Sequence, residues 1–196
     1  VAYMVLGDLI AKVSDQPYEV YMAEQLFAPL GMEASTFLLD EIAPMVLAKP
    51  IVQSDEGPIV SDVFPYSRQF AASNNLFSNV EDMAKFVQAN LGRGELDGTR
   101  ILSSEAYDLM WTPTNETPYG APWSNWALGW WTTEVDACPV AWMGGADMGF
   151  EAGALLCPDE NLAVIVLSNG PSSGNYYTPF VITALLQMIF DHLSGG

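Results

Sequence analysis

The chain has 196 residues, half of them hydrophobic, and carries 24 Asp and Glu against 6 Lys and Arg, a formal net charge of -18. That size and composition leave room for a real core and exclude a disordered chain. The charge repels phosphate backbones and anionic membrane surfaces, so neither nucleic acid nor a membrane is expected as a partner.

Taken in chain order, Met4, Val5, Leu6, Leu9, Ile10 and Val13 recur at helical spacing and predict a first helix. The string SDQP breaks it, with Asp15 as the expected N-cap of a second helix and Pro17 in its first turn. That helix holds Val20, Tyr21, Leu26 and Phe27 and stops near Gly31. Residues 44–67 carry Pro44, Pro50, Pro58 and Pro65 and read as a long irregular surface loop. In SNVEDMAKFVQANLGRG, Ser78 and Glu81 have capping-box spacing, and Met83, Phe86, Val87 and Leu91 form an apolar face that Gly92 ends. SSEAYDLMW is a shorter helix, followed by a second loop, TPTNETPYGAPWSN.

The last third changes period. WALGWWTTEV, CPVAWMGG, FEAGALLCP and LAVIVLSN read as strands joined by short turns such as PDEN. Thr178 and Pro179 then open a final apolar helix. The expected fold is α+β, an antiparallel meander covered by helices, with a mainly helical part at 1–112 and the sheet with its C-terminal helix at 113–196. FVITALLQMIF in that last helix is too short to span a membrane. The chain opens at Val1 with no Met and no signal-like segment, which reads as a fragment or a processed product.

Cys138 and Cys157 lie almost symmetrically about GGADMG. A hairpin there brings the two strands together, and both a disulfide and two buried free thiols stay open. No Cys/His set has zinc spacing and the single histidine is His192, so no metal and no cofactor is expected.

Gly170-Pro171-Ser172-Ser173-Gly174 fits G-x-S-x-G, the pattern of a serine-hydrolase elbow. An elbow needs a parallel sheet and a later acid and histidine. Here the strands read as antiparallel, and only Asp191 and His192 follow, adjacent on one helix and pointing apart. Ser172 therefore reads as a turn residue, and an esterase built on it is the minor alternative. No S-x-x-K exists, because Leu9, Val46 and Asp82 stand three before the lysines.

Several strings, in order, resemble the C-terminal half of the serine β-lactamase-like family of class C β-lactamases, penicillin-binding-protein-like peptidases and esterases. AYMVLGDLIAKVSDQPYEVYMAEQLFAPLGM looks like the stretch after that family's Y-x-N motif. AASNNLFSNVEDMAKF is similar to A-G-G-L-x-S-T-x-x-D-L-x-x-F, and WALGWW to Y-G-L-G-W. WMGGADMGFEAGALLCPDENLAVIVLSN resembles H-x-G-x-x-x-G-F-x-S, a P-(D/E)-x-N turn and a strand ending in L-S-N.

The resemblance implies acyl transfer by a serine whose S-x-x-K and Y-x-N motifs fall upstream of Val1. It places the third motif at Met143-Gly144-Gly145, with Met143 where the family has a cation or imidazole. Gly145 would admit substrate to the strand, and Ala146 would offer a backbone N–H to the oxyanion. A reading of MGGADMG as a glycine-rich hairpin turn stands beside this one. Tyr119, Trp123 and Trp126 are candidates for a substrate pocket near the strand. The whole reads as an incomplete hydrolase, inactive by itself, whose exposed edge and helix face call for a homo-oligomer or an N-terminal partner fragment. The competing reading is a non-catalytic binding module on the same scaffold.

Overall fold

The computed structural model describes residues 1–43, 46–120, 123–170 and 178–194. Helix α1 (Ala2–Ser14) follows the apolar spacing of its sequence. Its buried residue is Gly7, where an added Cβ would stand 2.5 Å from the Cβ of Ala72. Asp15 is not the N-cap of the next helix. It closes α1 in the left-handed conformation, φ 56°, and sends its N–H to the Ala11 carbonyl. Pro17 takes the N-cap of α2 (Tyr18–Met22). A wider π turn (Ala23–Phe27) and α3 (Ala28–Leu30) continue the same rod. Pro29 within it has no N–H to send to residue 25, which suits a loosened ladder there. Gly31, φ 67°, ends the rod as expected. Phe27, Leu30, Met32 and Phe37 bury here with Ala71 and Ala89.

The expected irregular loop at 44–67 holds a hairpin. Strand β1 (Ile51–Ser54) pairs with β2 (Gly57–Val60) through a turn at Asp55-Glu56, with Ile51 opposite Val60. Pro58 sits in this two-stranded ribbon, where each strand has a free side and a missing donor is tolerated. Strand β3 (Glu95–Leu96) and β4 (Thr99–Arg100) form a second small hairpin. Between the hairpins lie α4 (Ala71–Asn74) and α5 (Val80–Leu91). The cap of α5 is Asn79, whose side chain accepts from the Asp82 N–H. Ser78, the expected cap, instead bonds the Ser35 hydroxyl at 2.8 Å. Helix α6 (Ser104–Trp111) is capped by Ser103.

The expected second loop also holds two short strands, β5 (Asn115–Glu116) and β6 (Asn125–Trp126). WALGWW is not one strand: Trp126 ends β6, Gly129 turns with φ 82°, and β7 (Trp131–Val135) begins. With β8 (Cys138–Asp147), β9 (Phe150–Cys157) and β10 (Leu162–Ser168) the described sheet is antiparallel, in the order β10-β9-β8-β7-β6-β5. Helix α7 (Thr178–Ser194) begins where Thr178-Pro179 predicts. Strand alternation sorts the side chains onto two faces. Val140, Trp142, Leu155 and Val164 pack under Ile182 and Leu186 of α7. Ala141, Ala154 and Leu156 pack on the other face with Val87 of α5. Cys138 and Cys157 form a disulfide, with Cα atoms 6.3 Å apart, at the buried base of the β8–β9 pair.

Candidate active site

Strand β8 is longer than the partner on one of its sides. Its pairing with β7 ends at Trp131 opposite Trp142, whereas its pairing with β9 continues to Asp147 opposite Phe150. Met143, Gly144, Gly145, Ala146 and Asp147 thus pair on the β9 side, and no described strand lies on the other. The turn itself is Met148-Gly149 alone, so MGGAD is strand and not a glycine-rich turn.

The register also fixes the direction of the backbone groups. A two-residue turn makes Asp147 and Phe150 a hydrogen-bonded pair, and antiparallel ladders alternate. Gly145 and Met143 then bond to β9, and the N–H groups of Ala146 and Gly144 point to the open side. The neighbouring turn gives the same phase: Val135 and Cys138 flank Asp136-Ala137, both at positive φ, which sets Trp142 to bond β7.

Gly144, Gly145 and Ala146 are exposed and Met143 is half-buried on the α5 face. A Cβ on Gly145 would meet nothing within 4 Å, and its φ is not positive. Neither packing nor conformation within the described residues requires glycine there. Gly149 is the opposite case. Its φ is 79° and a Cβ would stand 2.5 Å from the Cβ of Pro50 and 2.9 Å from the Ile51 nitrogen.

A strap from 48–66 holds this turn. The Ile51 N–H reaches the Gly149 carbonyl at 3.4 Å, and Asn169 donates to the Lys49 carbonyl at 3.0 Å. The Phe64 and Phe150 rings stack at 6.4 Å. From α4, the Asn74 amide donates to Asp147 at 2.8 Å, next to Ala146. Sequence reasoning missed these supports: the string AASNNLF marks the neighbourhood of Asn74, but no spacing joins 74 to 147.

The candidate aromatics are not brought to Met143. Trp123 packs edge-on against Trp142, and Trp126 stacks on Trp131, which stacks on Trp142 in turn. All belong to the α7 face, opposite Met143, because Trp131 pairs with Trp142 and side chains alternate. Tyr119 is exposed in the loop after β5. Ser172 lies outside the described residues. Two clefts line up instead with the far end of the β8–β9 pair, one around Asp136, Cys138 and Asp191, the other around Arg93, Tyr107 and Trp111, and Asp159 reaches both. Burial pushes the Tyr107 phenol there up to about 12.

A family model described as Beta-lactamase matches residues 1–181. The chain belongs to that family. It is 25% identical over 205 residues to penicillin-binding protein 4 of Amycolatopsis lactamdurans, covering 98% of this chain and 51% of that protein. Its fold is that of the octameric penicillin-binding protein homologue from Pyrococcus abyssi, with TM-score 0.83, 24% identity, and 96% of this chain on 41% of that one. The D-amino acid amidase of Ochrobactrum anthropi SV3 gives TM-score 0.78 at 19% identity, with 98% of this chain on 56% of that one. The chain spans between 28% and 51% of the length of three curated relatives it matches.

Proposed function

We propose that the chain supplies the oxyanion side of a serine acyl-transfer site whose nucleophile lies outside these 196 residues. In that reaction a serine Oγ adds to an amide or ester carbonyl. Its proton passes to the departing amine or alcohol as the C–N or C–O bond breaks. Water then adds to the acyl-enzyme, releasing a carboxylic acid and restoring the serine. The observation that carries the reading is the half of β8 with no described strand on its outer side, which directs the Ala146 N–H outward from a strand fixed by β9 and the strap. A fixed backbone donor at a developing oxyanion is worth about 100- to 1000-fold in rate. The names of the relatives, a penicillin-binding protein and a D-amino acid amidase, agree with amide or ester chemistry.

The test is Ala146→Pro in the protein as its gene encodes it. Proline removes the one N–H, and on the open side it breaks no ladder bond. The acylation rate with an activated ester falls about 100-fold or more while the fold is kept. An unchanged rate in the folded variant rejects Ala146 as the donor.

The second reading, a non-catalytic module, draws on Met143, a thioether with no proton to give and no charge. It expects no covalent adduct with any serine-directed probe. Either reading includes association. Val5, Leu6, Leu9 and Val13 of α1 are exposed, and β10 has no described neighbour beyond β9. The Pyrococcus abyssi homologue is octameric, and an assembly of that kind fits such a surface.

A further inference from the structure

We infer that the site on the open half of β8 selects acyl substrates with no negative charge beside the scissile bond: neutral, apolar esters or amides. This rests on the acyl-transfer reading above and adds the substrate class.

Three observations converge. The side chain that stands on the α5 face of β8, just before the exposed Gly144-Gly145-Ala146 backbone, is Met143. Its sulfur accepts weakly and cannot pair with a carboxylate. Most of the chain's cations are paired. Of the six, five hold carboxylates: Lys49 with Asp62, Arg68 with Glu19, Lys85 with Asp82, Arg93 with Asp108 and Arg100 with Glu95. Lys49 is the telling one. Its carbonyl is bonded to Asn169 and the next residue packs on Gly149, yet its ammonium goes to Asp62 at 2.6 Å. The sixth, Lys12, stands in the last turn of α1.

The third observation is what does surround the strand end. Asp147 follows Ala146 and shares the α5 face with Met143, whereas Glu151, opposite Ala146, is buried on the other face. The remaining surface is apolar. Met148 is exposed at the turn, Phe64 stacks on Phe150, and exposed Val60 pairs with Ile51, whose N–H reaches Gly149. A substrate carboxylate brought here meets Asp147, in a chain of net charge -18 with five of its six cations paired to carboxylates. An apolar acyl chain meets Met143, Met148 and the Phe pair.

The test compares p-nitrophenyl butyrate with mono-p-nitrophenyl succinate, near-matched acyl esters that differ by a carboxylate. The protein as its gene encodes it is used, and the uncatalysed rate, fast for the succinate because its own carboxylate attacks the ester to form the cyclic anhydride, is subtracted from each. The expected kcat/KM ratio favours the butyrate by about tenfold or more, and Met143→Lys narrows that ratio about tenfold. Equal or better turnover of the succinate overturns the inference, as does a ratio unmoved in a folded Met143→Lys protein. A fluorophosphonate adduct, read by intact mass on the same sample, separates the two failures. With an adduct and a succinate preference, only the substrate class is wrong. Without an adduct, the acyl-transfer reading fails and the substrate class falls with it.

Discussion

At the residue scale, the two glycines at the end of the β8–β9 pair make opposite demands. Gly149 needs its left-handed φ of 79° and has Pro50 against it. Gly149→Ala should cost about 2 kcal/mol or more in urea unfolding. Gly145→Ala, whose Cβ meets open space, should unfold within about 0.5 kcal/mol of the parent. The same pair of variants tests whether Gly145 is kept for something other than this fold. Asp82 is a third informative residue. Its carboxylate is buried and takes hydrogen bonds from the Ala34 N–H at 2.8 Å, the Ser35 hydroxyl at 2.9 Å and the Lys85 ammonium at 3.2 Å. It ties the rod of residues 18–30 to α5 through the segment that follows the rod. Asp82→Ala leaves those donors without an acceptor and should cost about 2–4 kcal/mol.

At the element scale, the disulfide staples the base of β8 to the end of β9, so the register that aims Ala146 is held at both ends of the pair. For cysteines 19 residues apart, its loss should cost about 3 kcal/mol. A Cys138→Ala, Cys157→Ala double variant compared with the parent by thermal unfolding measures this. Strands β7 to β10, their antiparallel order and α1, α5, α6 and α7 were legible in the sequence from apolar runs and periodicity bounded by turn residues. What was not legible depends on partners far along the chain. Ser78 has the spacing of a cap, but Ser35, 43 residues away, takes its hydroxyl and Asn79 caps instead. Asp15 has the residue type of an N-cap, yet the backbone reverses there in αL and it becomes a C-cap. The hairpin at 51–60 hides among prolines, because a ribbon with a free side on each strand tolerates them. The site was legible only as a string. That β8 outruns β7, and that Pro50, Phe64 and Asn74 brace its tip, follows from tertiary pairing that no local pattern encodes.

At the scale of the whole molecule, acid should destabilise the fold through identifiable pairs. Glu19 is the clearest. Burial alone would raise its carboxyl, but the hydrogen bond and charge of Arg68 outweigh that and hold it below its ordinary 4.5. A lowered folded value means that the contribution is present above the ordinary value and is lost as pH falls through the folded one. Glu19→Gln should therefore flatten part of the acid limb of stability against pH, measured by urea unfolding across that range. The exposed apolar residues of α1 and the edge of β10, which has no neighbour beyond β9 among the described residues, should drive self-association, so gel filtration should give a mass above that of one chain. A clean monomer at all concentrations would remove the association from the account.

On the proposed function, these 196 residues build the oxyanion side of a site and not its nucleophile. The most direct measurement is the intact mass of the purified, folded chain after incubation with a fluorophosphonate probe. No adduct is expected. A stoichiometric adduct on Ser172 would contradict the proposed function and make the chain a hydrolase in its own right.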